Sequence, residues 1–177
     1  MKHIFFTSIM ALFLLSTAVA QENRLAQKQP NTAEIYHQIE KLGFLGTALF
    51  VAAHPDDENT RLISWLANDQ MARTAYLSLT RGDGGQNLIG PQLREQLGMI
   101  RTQELLEARN TDGGQQFFTR ANDFGYSKHP DETLEIWNEQ EVMEDMVRII
   151  REFQPDVIIN RFDHRTPGST HGHHTSS

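Results

Sequence analysis

The apolar run Thr47-Ala-Leu-Phe-Val-Ala-Ala53 breaks without a linker into His54-Pro55-Asp56-Asp57-Glu58, and that junction constrains the fold more than any other stretch. A near-continuous apolar run reads as a strand buried on both faces, as in a parallel sheet covered by helices above and below. Open α/β sheets bind their ligands in the crevice beyond the carboxyl ends of their strands. An imidazole and two carboxylates released together at such an end therefore mark the expected place for chemistry. His54 and Asp57 carry the nitrogen and oxygen donors that a zinc ion accepts, and Asp56 between them is free to act as a base.

The rest of the chain supplies the alternation that such a sheet needs. From Thr32 the spacing of Ile35, Ile39 and Leu42 predicts a helix capped by Asn31 or Thr32 and stopped at Gly43. Gly46 to Ala53 is the first strand, and Leu62, Ile63, Leu66 and Ala67 form a short helical stripe. Arg73 to Leu79 is a second strand, and a glycine-rich loop, Thr80-Arg81-Gly82-Asp83-Gly84-Gly85-Gln86-Asn87, follows it. That loop lacks the spacing of nucleotide-binding loops, so it reads as a turn or as a substrate-lining segment with Arg81 and Asp83 as contacts.

Pro91 opens the longest expected helix, with Leu93, Leu97, Ile100, Glu104 and Ala108 along one stripe. Glu104 then faces inward, where a carboxylate needs a partner, and Arg101 lies three residues earlier. Gln116 to Phe118 reads as a third strand, and Met143, Met146, Val147, Ile150 and Phe153 mark a helix before a strand at Asp156 to Asn160. Strands and helices alternating at these lengths predict an α/β fold, a Rossmann-like, mostly parallel sheet with helices on both faces.

Two short strings invite over-reading. Asp83-Gly-Gly-Gln86 recurs as Asp112-Gly-Gly-Gln115, which is turn punctuation rather than a repeat. His129-Pro130-Asp131-Glu132 repeats the histidine, proline and acid of the first loop, but no apolar strand feeds it. Its acids instead suit the positive end of a helix that begins there.

Composition narrows the function. A formal net charge of −7 gives no support for binding nucleic acid, which asks for a basic face. The chain has no cysteine, so disulfides and thiolate metal sites are excluded and any metal must be held by His, Asp or Glu. Lys2, the apolar Ile4 to Leu15 and the small-x-small site Ala18-Val19-Ala20 before Gln21 read as a cleaved secretory signal. The apolar run falls short of the roughly twenty residues a membrane span needs. The expectation is an exported protein, periplasmic or extracellular, with no stable membrane span after cleavage.

The expected organisation is a signal at 1–20, an arm and helix at 21–45, and a catalytic domain at 46–177. The sequence stops at His171-Gly172-His173-His174-Thr175-Ser176-Ser177. A buried metal site there needs a covering helix and further strands, so the expectation is a domain cut short at its C-terminus. A histidine-rich purification tag is the competing account, disfavoured because tags are usually unbroken histidine runs.

The strand, the Ala53-His-Pro-Asp-Asp-Glu58 loop and the late histidine cluster together resemble the PIG-L/LmbE-like family of zinc-dependent de-N-acetylases. The resemblance implies one zinc ion per chain held by His54, Asp57 and His174, with zinc-bound water attacking an amide and Asp56 as general base. His171 is the implied assistant, stabilising the oxyanion or protonating the departing amine. The family's R-x-x-E-x-x-x-A pattern matches Arg101, Glu104 and Ala108, and implies that Arg101 touches a substrate containing an N-acetylated amino sugar. Where the family has H-P-D-H or H-P-N-H, this chain has Gly172 and His173 in the middle. The aspartate that orients the first histidine is missing from its place, Asp163 is a potential substitute, and His173 is an alternative third ligand. A non-catalytic carbohydrate-binding module on the same scaffold is the alternative function. A phosphoester hydrolase is a third reading, disfavoured because two-metal sites need more ligands than are placed here.

Overall fold

The computed structural model describes residues 29–163 and 172–177; the expected signal at 1–20 and His171 lie outside them. The described residues divide into two units between Ile39 and Glu40. Helix α1 (Thr32–Lys41), most of it in the first, opens with a reciprocal cap. The Asn31 side chain accepts the Glu34 N–H at 2.9 Å and Glu34 accepts the Asn31 N–H at 2.7 Å, which satisfies two backbone donors at the helix start.

The second unit is built on four parallel strands, β1 (Thr47–Ala52), β2 (Arg73–Ser78), β3 (Gln115–Phe118) and β4 (Val157–Asn160), in the order β3-β2-β1-β4. Helices α2 (Thr60–Ser64), α3 (Glu95–Asp112), α4 (Pro130–Trp137), α5 (Glu139–Phe153) and α6 (Gly172–Ser176) surround it, and a π-helical turn at Trp65–Asp69 continues α2. Alternate residues of the two central strands feed opposite cores. Leu49, Val51, Ala75 and Leu77 pack with Trp137, Val142, Ile149 and Phe153 of α4 and α5. Phe50, Ala52 and Tyr76 pack with Ile63 of α2 and Leu105 of α3. Both faces are thus covered, which is why β1 and β2 read as unbroken apolar runs.

The chain moves outward from β1 through β2 to β3, then returns to place β4 on the other side of β1. The strand order therefore reverses between β1 and β4, and the crevice for ligands lies beyond their carboxyl ends. His54 follows the first of these strands and Phe162 the second.

Helix α3 departs from expectation. It begins at Glu95 rather than Pro91, because Arg94 has φ 52° and ψ −128°, a backbone that no helix can run through. Its buried residues are Leu97, Gly98, Leu105, Arg109 and Asp112. Leu93 and Glu104 are exposed, so the expected inward carboxylate is corrected to a surface one. The stripe is rotated because Arg109 and Asp112 are buried as a pair, which a hydrophobic pattern does not register.

Candidate functional site

The ladder of β1 and β2 continues past the strand ends, with the Leu79 and Thr80 N–H groups donating to the Ala52 and Ala53 carbonyls at 2.9 Å each. The Tyr76 hydroxyl, buried beneath, donates to the His54 carbonyl. The chain then folds back on itself. Asp57 accepts the His54 N–H at 2.8 Å and lies 3.2 Å from its ring Nδ1. Burial alone would raise the Asp57 carboxyl, but its contacts with the His54 ring, the His54 backbone N–H and the nearby imidazoles outweigh it. They hold Asp57 below the usual carboxylate range.

Beneath the loop, Glu58 meets the buried Arg109 at 3.4 Å. Arg109 is fixed by Asp112 through contacts of 2.6 to 3.1 Å and by Gln116 of β3 at 3.2 Å. Burial raises the Glu58 carboxyl despite this guanidinium. Asp56, by contrast, points outward with 72% of its side chain exposed, and Arg101 reaches it at 3.2 Å. Arg101 therefore pairs with Asp56, not with Glu104. Its path crosses the glycine-rich loop: Gly82 has φ +69°, and a Cβ there would lie 2.6 Å from the Arg101 guanidinium. The glycine makes room for a side chain of this same protein. Asp56, Arg101, Pro55, Glu58 and Leu105 line a groove of about 440 Å³.

The other loop residues face elsewhere. Arg81 donates to Thr102 at 3.1 Å and lies over the Phe118 ring at 4.2 Å. With Asp83 it borders a separate cavity of about 580 Å³ beside α3. Asp83 accepts the Asp123 N–H at 3.3 Å and so ties this loop to the exit of β3.

Helix α6 brings the late histidines to His54, across 119 residues of sequence for His173. His174 stacks flat on Phe162, 3.9 Å between ring centres, and its Nε2 lies 3.6 Å from Asp57. His173 is fully buried, its Nδ1 2.8 Å from His54 Nε2 and 3.4 Å from Asp123. Two groups arise in which donor atoms lie within 4.8 Å of one another: His54, Asp57 and His174, and His54, Asp123 and His173. Each has two imidazoles and one carboxylate, a donor set suited to a divalent cation such as zinc. His171 is outside the described residues. The sequence reading missed Asp123. Its signal was position, five residues beyond β3 at the carboxyl end of the sheet, the same edge that offers His54.

The sequence model of the PIG-L family, GlcNAc-PI de-N-acetylase, matches residues 49–177. Among solved structures, N,N'-diacetylchitobiose deacetylase from Pyrococcus horikoshii, complexed with its inhibitor MPG, is similar at a TM-score of 0.57 and 20% identity, covering 85% of this chain and 57% of that one. GalB, the 4-carboxy-2-hydroxymuconate hydratase from Pseudomonas putida KT2440, is similar at a TM-score of 0.55 and 18% identity, covering 74% and 52%. The chain thus spans little more than half the length of either protein. No curated protein sequence matches it significantly. At these identities the structural likeness speaks for the fold. The family match covers most of the residues, including the His54 loop and the late histidine cluster, and on that ground the chain belongs to the PIG-L family.

Proposed function

We propose that this chain carries the catalytic machinery of a zinc-dependent de-N-acetylase, hydrolysing the acetamide of an amino-sugar-containing substrate to acetate and a free amine. The observation that carries this is the convergence of His54, Asp57 and His174 within 4.8 Å of one another, one residue from the exposed carboxylate of Asp56. These three would hold one zinc ion per chain. The chemistry zinc supplies in such a setting is polarisation of the scissile carbonyl and acidification of water.

The chain's own groups do the rest. The Asp56 carboxylate takes a proton from the attacking water as the C–O bond forms, and Arg101 fixes the direction in which that carboxylate points. Asp57, kept ionised by His54, stays a ligand rather than a competing acid. When the C–N bond breaks the amine must gain a proton, delivered by Asp56 or by His171. The groove beside Asp56 and Arg101 is assigned to the sugar. The amino-sugar class comes from the family and from the Pyrococcus protein, named for diacetylchitobiose. The signal-like residues 1–20 support an exported protein, and no helix among the described residues is long and apolar enough to cross a membrane.

The hydratase with this fold shows why the reaction itself must be tested. Acetate release from N-acetylated oligosaccharides is expected with zinc bound. Asp56→Asn should lower kcat about 10²–10⁴-fold with zinc content unchanged. Full activity in that variant, or zinc binding without acetate release by the full-length protein, refutes the assignment.

A further inference from the structure

We infer that Asp123 and His173 are positioning residues that hold the proton of His54 on Nε2 and leave Nδ1 as the metal-binding atom; the inference rests on the proposed zinc site. A neutral imidazole has one lone pair and one N–H. The two His/Asp groups meet His54 through different nitrogens: Asp57 approaches Nδ1 at 3.2 Å, while His173 and Asp123 approach Nε2 at 2.8 and 3.8 Å. His54 can therefore ligate a cation on one side only and must present its proton to the other.

Burial decides which side is which. The Asp123 and His173 side chains are 6% and 0% exposed, against 14% and 27% for Asp57 and His174. His173 is enclosed by Phe124 and Trp137, with ring centres at 4.4 and 4.9 Å. Trp137 in turn donates to the Asn122 carbonyl at 2.9 Å, which fixes the loop that carries Asp123. A site that must admit water and substrate suits the exposed side, next to Asp56. The enclosed side suits a supporting pair: His173 Nδ1 lies within hydrogen-bond distance of Nε2 and can accept its proton, and a ligating histidine is oriented by what its other nitrogen donates to. His173 is thus turned inward to His54, and Asp123 supplies a carboxylate beside the pair from the loop after β3.

The test is zinc affinity of the metal-free full-length protein, measured by competition with a chromophoric chelator, together with 15N NMR of the His54 ring. Asp123→Asn and His173→Phe should each weaken zinc about 10–100-fold, while Asp57→Asn and His174→Ala abolish binding. The zinc-loaded native protein should show His54 protonated on Nε2 and metallated on Nδ1. If His173→Phe does not fold, Asp123→Asn decides. Unchanged affinity in a folded Asp123→Asn protein overturns the inference and leaves the zinc site standing. Abolished binding in Asp123→Asn, with binding retained in Asp57→Asn, overturns it too, since Asp123 is then a ligand. Native protein that binds no zinc overturns the proposed function itself.

Discussion

Two stretches of this chain spell histidine, proline and acid, His54-Pro55-Asp56-Asp57 and His129-Pro130-Asp131-Glu132, and the fold uses them in opposite ways. The first leaves a buried strand, and its side chains turn back to make donors. The second opens α4: Pro130 sits in the first turn, with Asp131 and Glu132 at the positive end of the helix. No side chain of the second joins a His/Asp group among the described residues. Its backbone and that of Ser127 just before it seat α6 instead. The Gly172 N–H donates to the Ser127 carbonyl at 2.7 Å, and a Cβ on Gly172 would lie 2.5 Å from the His129 carbonyl. One string presents ligands, and the other receives the helix that brings the remaining ones. What precedes a string, a strand end or a helix start, settles its role.

The largest break in this comparison should come from under the first string. Arg109→Met leaves Glu58 and Asp112 buried without their cation, and stripping one partner from a buried ion pair costs about 3–5 kcal/mol. Urea unfolding of the metal-free protein reads it, and a loss under about 1 kcal/mol would mean the loop is held by its own turn. Under the second string the prop is lighter, a Ser127 hydroxyl 2.7 Å from Glu132. Gly172→Ala tests the seat itself. Overpacking against the His129 carbonyl costs about 1–3 kcal/mol, and if it falls on the placement of α6, zinc weakens about 5–150-fold. An unchanged affinity would show that α6 is seated by something other than this loop.

These contrasts also show what the sequence carried. Strands β1 and β2 were legible because both faces of the sheet are covered, so burial wrote itself as unbroken apolar residues. The His54 loop was legible because it leaves such a strand. The meeting of His54 with His173 and His174 was legible only through resemblance, since no local pattern spans more than a hundred residues. Helix α3 was misphased because a positive φ at Arg94 delays its start and because Arg109 and Asp112 are buried as mutual partners. Asp123 was missed since its stretch has neither helical nor strand period, and only its place after β3 marks it.

Between the two strings in sequence stands the exit of β3, which carries Asp123 to His54 and His173. It is pinned by Asp145 of α5, which accepts the Arg120 N–H at 2.9 Å and its guanidinium at 3.0 Å. Those bonds hold the Asp145 carboxyl down to about 2, against the burial that would raise it. A carboxyl depressed from an unfolded value of about 3.9 contributes stability that is present above that pH and lost as pH falls through the folded value. Half of the Arg120 side chain is in water, so the contribution is discounted to about 1 kcal/mol. The native protein should lose it between about pH 4 and pH 2, while Asp145→Asn, already lacking it, shows a flatter acid limb in equilibrium unfolding. Identical limbs would remove Asp145 as the pin.

The smallest expected effect sharpens the comparison most. His129→Ala changes the residue that matches His54 letter for letter, yet it is the carbonyl that accepts the Thr133 N–H at 3.4 Å and the Ser127 hydroxyl at 3.1 Å and that Gly172 of α6 packs against. An alanine keeps that carbonyl and tolerates the extended backbone at φ −124° and ψ 136°. Stability should stay within about 0.5 kcal/mol, as for surface changes away from special features, and zinc affinity should not move. His54→Ala, at the same place in the other string, removes the one residue common to both His/Asp groups and should abolish zinc binding. A measurable zinc loss in His129→Ala would give the second imidazole a share in the site. The division between a string that ligates and a string that seats would then have to be redrawn.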